Sequence, residues 1–255
     1  MAAVVTAAGT ASVQGVQPAA EPPLDLFLLA GQSNMAGRGV VEVDDLKIHP
    51  RVWMLDRANR WAPAIEPMHF DKPIAGVGPG RAFGIAIAEA DPTARVGLVP
   101  VAVGGSPIAA WVSGATHDQT GAKPFDDAVV RIRAAKRHGA FRAILWHQGE
   151  SDANEAAAPA YAGGLRAVIE RLRAEAGDPR LPVLIGQLGR FPAAPWTAWH
   201  LQVDAAHRRL VAEVPRVAFV SSEGLTDKGD ALHFDAASAR TLGRRYADAY
   251  RALTR

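Results

Sequence analysis

The chain has 255 residues, 49% of them apolar and 21% charged, with a formal net charge of +2 and no cysteine. That balance belongs to a soluble globular protein with an ample core, and the missing cysteines exclude disulfides, thiolate nucleophiles and cysteine-ligated zinc. The arginines are dispersed without interleaved aromatics, and no run reaches the roughly 20 apolar residues of a membrane span, so neither nucleic acid nor a membrane is an expected partner.

Residues 1–23 are small and Ala/Val/Gly/Gln-rich, and they close on Ala-Ala-Glu-Pro-Pro; the first basic residue of the chain is Arg38. A secretory signal carries a basic start and a firmer apolar stretch. The segment therefore reads as the remainder of an export signal, a wrongly chosen start or a flexible tail. From residue 24 to 255 no linker and no internal repeat interrupts the sequence, which predicts one domain there.

Apolar, strand-like runs follow at Leu24–Ala30, Val52–Leu55, Val96–Val103, Ala143–Trp146, Val183–Leu188 and Val217–Val220. Between them the spacing turns helical. A helix is expected around Phe83 to Glu89, entered by the loop Gly76-Val77-Gly78-Pro79-Gly80. Phe125, Val129 and Ile132 share a face, as do Tyr161, Leu165, Val168 and Leu172. The same holds for Trp199, Val203, Ala206 and Leu210, and for Leu242, Tyr246 and Tyr250. Offsets of three and four mark helices that lay one side on a sheet. Alternation of such helices with apolar strands predicts an α/β fold: a three-layer α/β/α sandwich around a mostly parallel sheet.

Ligands of open parallel sheets bind outside the carboxyl ends of the strands. The first strand stops at Gly31-Gln32-Ser33-Asn34, the third at Gly104-Gly105-Ser106, and the next at His147-Gln148-Gly149-Glu150-Ser151-Asp152. These polar or glycine-rich turns are expected to border one crevice. Ser33 is the candidate nucleophile. His233 is the candidate base, because a serine hydroxyl needs an imidazole to take its proton and the imidazole needs a carboxylate to fix its tautomer. Asp230 sits three residues before His233, where a turn brings both to one side; Glu150 competes for the same role. Asp235 suits the N-terminus of the last helix. The amides of Ser33 and Gly105, with the Gln148 side chain, are the candidate oxyanion donors, since glycine lets backbone approach a developing negative oxygen. Gln32, Asn34, Gly104 and His147 are candidate substrate contacts. Trp111 and Trp196 are candidate aromatic platforms beside the crevice.

Other chemistries fit less well. The loop at 76–80 lacks the Gly-Lys-Ser/Thr ending of a phosphate loop and the third glycine of a dinucleotide fingerprint. His200 and His207 stand seven apart on an expected helix and the histidines form no metal constellation, so no metal and no cofactor are expected. The Gly-x-Ser-x-Gly nucleophile elbow does not occur.

The run Leu28-Leu29-Ala30-Gly31-Gln32-Ser33-Asn34-Met35-Ala36-Gly37-Arg38-Gly39 resembles the opening block of the SGNH (GDSL-like) hydrolase superfamily, in its branch of sialate O-acetylesterase-like proteins and carbohydrate esterase family six. Gly78-Pro79-Gly80 with Phe83, Gly104-Gly105 with Ile108 and Trp111, Trp146 to Asp152, and Asp230 with His233-Phe234 continue it in the family's order over about residues 24–255. The resemblance implies a flavodoxin-like sandwich and a metal-free serine carboxylic-ester hydrolase acting on acetylated sugars. Carried over, Ser33 is nucleophile and His233 base; Asp230 matches the superfamily's usual acid and Glu150 a glutamate proposed for that role in parts of the branch. Gln148 stands nearest the Asn that the superfamily uses as oxyanion donor. Acetylated xylan or xylo-oligosaccharides are the first expected substrate and acetylated sialic acids the second. A lipid-ester hydrolase and a non-catalytic sugar-binding protein are the rival expectations. Exported bacterial members of the branch point toward periplasm or the cell exterior, and the sequence leaves the oligomeric state open.

Overall fold

Strand β1 (Leu24–Gly31) feeds two cores at once. Leu24, Leu26, Leu28 and Ala30 enter one apolar cluster, while Phe27 and Leu29 enter the other, the period-two alternation of a strand covered on both faces. The structure, a computed structural model, describes residues 23–255. The signal-like or flexible segment expected over 1–23 lies, apart from Pro23, outside the described residues.

After β1 come the one-turn helix α1 (Ser33–Ala36), β2 (Val52–Leu55), β3 (Trp61–Pro63), α2 (Pro79–Ala90), β4 (Val96–Pro100) and α3 (Pro124–Ala135). Then follow β5 (Gly139–His147), α4 (Tyr161–Ala176), β6 (Val183–Gly186), α5 (Ala198–Glu213), β7 (Val217–Val220) and α6 (Ala236–Thr254). The seven strands pair in the order β3-β2-β4-β1-β5-β6-β7, all parallel except β3 against β2. Helices α3, α4 and α5 bury Phe125, Ile132, Leu165, Val168, Val203 and Leu210 on one face of the sheet. Helices α2 and α6 bury Phe83, Ile87, Leu242 and Tyr246 on the other. The expected sandwich is therefore the observed one.

The differences are local. Residues Trp61–Pro63 form a seventh, antiparallel edge strand. Three residues that include a proline give no alternation to read, and the pairing is made by β2. Strand β4 stops at Pro100 rather than Val103; beyond it the chain still follows β1 through Val101 N to Leu29 O and Val103 N to Gly31 O, both 3.0 Å. Strand β5 begins at Gly139, four residues earlier than the apolar run.

The order β4-β1-β5 decides where function lies. These three strands are immediate neighbours, so the turns that follow them meet at one edge of the sheet. Gly31 closes β1 at φ +128°, with its α-carbon against the His147 backbone, where a side chain has no room.

Candidate active site

Ser33 opens α1 directly after β1, and its side chain is nearly enclosed, 6% exposed. Its Oγ lies 3.0 Å from Nε2 of His233. On the far side of the ring, His233 Nδ1 is 2.7 Å from Asp230 Oδ2. With the proton on Nδ1, Nε2 is the acceptor for the serine hydroxyl. The Asp230 carboxylate is fixed by more than the imidazole: its Oδ1 accepts the backbone N–H of His233 at 2.8 Å and of Leu232 at 3.1 Å, and Lys228 Nζ approaches Oδ2 at 3.1 Å. Burial alone would raise this carboxyl, but those donors together hold it well below the usual aspartate range, so it is ionised at neutral pH.

Glu150 has a different place. Its Oε1 accepts Asn34 Nδ2 at 2.6 Å, its Oε2 is buried without a partner, and no hydrogen bond joins it to His233. Burial raises its pKa, against the lowering effect of the Asn34 amide. Asn34 in turn donates to Leu232 O at 3.1 Å and accepts from Phe234 N at 3.1 Å. Asn34 thus clasps the histidine loop to the first turn, and Glu150 braces Asn34. Asp235 is the N-cap of α6, its Oδ1 accepting Ser238 N at 2.7 Å.

Two donors stand free at the serine. Among the described residues neither the Ser33 nor the Gly105 backbone N–H has a hydrogen-bond acceptor, and both residues line a cleft of about 290 Å³ with His233, Leu232 and Lys72. Gly105 reaches its position at φ +82°. Ser151 Oγ donates to Gly105 O at 3.0 Å and pins this turn from the β5 side.

Several expected site residues turn out to be scaffold. The Gln148 amide is fully buried and its Nε2 is engaged by Asp152 Oδ2 (2.5 Å), Ser106 O (3.2 Å) and Gln32 Oε1 (3.3 Å), so it has no hydrogen left for an oxyanion. Gln32 is 3% exposed and borders the serine cleft; its Oε1 also accepts the N–H groups of Gly149 and Ser151, which knits the β1 and β5 turns together. Asn34, equally enclosed, is used up as described above. Gly104 N donates to Asp71 Oδ2 at 2.8 Å, while the residue itself still borders the serine cleft. His147 is fully buried beside Tyr246 OH (3.3 Å), and burial lowers its pKa to about 3, so it is a neutral core residue. Trp111 is a core residue as well, edge-on to Trp146 with Nε1 on Ser106 Oγ at 3.1 Å. Trp196 is half-buried under Arg190, with its Nε1 on Gly189 O, and does not line the serine cleft.

The sequence reading missed Asp71. Its Oδ2 takes both Gly104 N and Arg38 NH2, the latter at 2.6 Å, in an ion pair whose side chains are 0% and 2% exposed. Arg38 also donates to Gly37 O at 2.7 Å. Arg38 stands in the opening block, but Asp71 lies in a loop without local signal, and only the fold brings it under the Gly104–Gly105 turn. Among the described residues no group of three or more His, Asp or Glu side chains is arranged to hold a metal ion, and no helix is long and apolar enough to cross a membrane.

A family model described as "Carbohydrate esterase, sialic acid-specific acetylesterase" matches residues 23–252. A protein of Arabidopsis thaliana described as a probable carbohydrate esterase is 32% identical over 254 residues, covering 90% of this chain and 91% of the relative. The X-ray structure of an Arabidopsis thaliana protein superimposes with a TM-score of 0.79 at 30% identity, covering 91% of this chain and 99% of that one. NanS shares the fold at 19% identity and TM-score 0.70, over 91% of this chain and 98% of its own. A carbohydrate acetylesterase from Xanthomonas citri does so at 21% and 0.68, over 90% of this chain and 56% of its own.

Proposed function

This chain belongs to the carbohydrate esterase family of the sialic acid-specific acetylesterase type, and we propose that it hydrolyses O-acetyl esters of sugars through a covalent acetyl-serine. The observation that carries this is the continuous line of hydrogen bonds from Ser33 Oγ through His233 to Asp230 at the carboxyl edge of the sheet.

In the first half-reaction Ser33 Oγ attacks the acetyl carbonyl while its proton passes to His233 Nε2. The imidazolium so formed is stabilised by the ionised Asp230 on Nδ1. Negative charge gathers on the carbonyl oxygen, and the unpartnered N–H groups of Ser33 and Gly105 are the donors for it; in other hydrolases the loss of one such donor slows turnover about a hundredfold or more. The tetrahedral intermediate collapses as His233 returns its proton to the sugar oxygen, which leaves as the alcohol. In the second half-reaction His233 deprotonates a water that attacks the acetyl-serine, and acetate is released with Ser33 restored.

Acetylated xylan or xylo-oligosaccharides are the proposed substrates, ahead of acetylated sialic acids. Acetate release from acetylated xylan, acetylated glucose and O-acetyl sialate tests the ranking. Ser33→Ala tests the mechanism: turnover of p-nitrophenyl acetate is expected to fall by about four orders of magnitude or more with an unchanged circular dichroism spectrum. A folded variant that keeps hydrolysing the ester removes Ser33 from the chemistry.

A further inference from the structure

A second groove, of about 590 Å³, opens beside the serine cleft. Gly105, Gln119 and Ser151 form part of both walls, so a molecule whose ester carbonyl sits at Ser33 can continue across that edge without leaving the surface. The floor is short and apolar: Pro107, Ala109 and Ala110. The opposite wall is the segment Thr116 to Gln119, and it is built to hold its shape. His117 N donates to Ala122 O at 2.8 Å, and His117 O accepts from Gly121 N at 2.8 Å and Thr120 N at 3.2 Å. Upstream, Ser113 Oγ and Gly114 N bond the Asp126 carboxylate at 3.1 and 2.9 Å, which ties the wall to α3.

The lining states what it can recognise. Thr116, Asp118, Gln119 and Ser151 present hydroxyl, carboxylate and amide groups over the alanine floor, a mix of donors and acceptors that suits a ring carrying several hydroxyls. His117 adds a buried Nε2 that has no partner among the described residues. The lining contains one carboxylate, Asp118, and at the edge shared with the serine cleft Lys72 Nζ donates to Gln119 Oε1 at 3.1 Å, so the two charges offset one another and the groove suits an uncharged ring. It also has no exposed aromatic platform, because Trp111 faces the core.

We propose that this groove is a subsite for the neutral sugar ring adjoining the acetylated one, which makes an oligosaccharide rather than a monosaccharide the preferred substrate. This rests on the esterase reading above, which places the reacting ester at Ser33. The probe is unacetylated xylotriose titrated calorimetrically into the intact protein, a measurement that does not depend on turnover. Ala109→Trp fills the floor, and Thr116→Arg, at an exposed position, blocks the wall. Either variant is expected to weaken xylotriose binding about tenfold, which is a loss of about 1.4 kcal/mol. The ratio of kcat/KM on acetylated xylotriose to that on p-nitrophenyl acetate is expected to fall about tenfold with it, as lost binding to a remote ring does. The proposal is overturned if wild-type protein does not bind xylotriose or if both folded variants bind it as wild type does. It is also overturned if N-acetylneuraminic acid binds more tightly than xylotriose. A wild-type protein that binds xylotriose but leaves p-nitrophenyl acetate intact would uphold the groove and overturn the esterase reading instead.

Discussion

Asp230 bonds the histidine ring and Glu150 the Asn34 amide beside the serine, yet their surroundings give these two carboxylates opposite properties. Asp230 is surrounded by donors and kept ionised, whereas burial pushes Glu150 toward its neutral form and its one strong contact is the Asn34 amide. Replacing Asp230 with Asn removes the charge that steadies the imidazolium and permits the wrong tautomer, so kcat is expected to drop by roughly 10⁴. Glu150→Gln keeps an acceptor for Asn34 and is expected to cost about tenfold or less, on the order of one lost hydrogen bond. Steady-state kinetics of the two variants on p-nitrophenyl acetate decide between them; the reverse order would move the acid role to Glu150. Ser33 and His233 were legible in the sequence because turn residues after a strand, and a carboxylate three positions from a histidine, are local patterns. His147, Gln148 and Trp111 were misread because residue type does not say which way a side chain faces. Each sits beside the site in sequence and points into the core.

Among the elements, the turn at Gly104–Gly105 shows what the chain order hides. The turn is held by contacts from two other segments: Asp71 on the Gly104 N–H and Ser151 on the Gly105 carbonyl. Asp71→Ala leaves the Arg38 guanidinium buried without its counter-ion, a change that costs about 3–5 kcal/mol in comparable pairs. Urea unfolding is expected to show a loss of that size, and an exposed-pair value near 0–1 kcal/mol would mean that water reaches Arg38. Strands and helices were read from periodicity with few errors, since β1 and the amphipathic helices each repeat the pattern several times. Strand β3 escaped because three residues carry no period, and the loop bearing Asp71 because its role is set entirely by tertiary contact.

For the molecule as a whole, Glu66 is one group through which pH acts on stability. It is buried, accepts Met68 N at 3.0 Å and Gly78 N at 3.4 Å, and burial raises its pKa to about 8. A carboxyl whose folded pKa is raised contributes stability that is complete below about 4.3, its unfolded value, and is lost as pH rises through the folded one. Glu66→Gln stays neutral throughout. Its melting temperature is therefore expected to gain on wild type between pH 5 and pH 8, by about 2–4 °C for each kcal/mol recovered. A difference between the two proteins that stays constant across that range would show that Glu66 ionises freely in the folded state. The distance along the chain between Ser33 and His233, 200 positions, has a further result. All the strands of the sheet are complete by Val220, ahead of the loop that delivers the imidazole. On the proposed mechanism, a nascent or clipped polypeptide ending before Asp230 carries every strand and is expected to cleave no ester, which would make acetate production a readout of finished synthesis rather than of sheet formation.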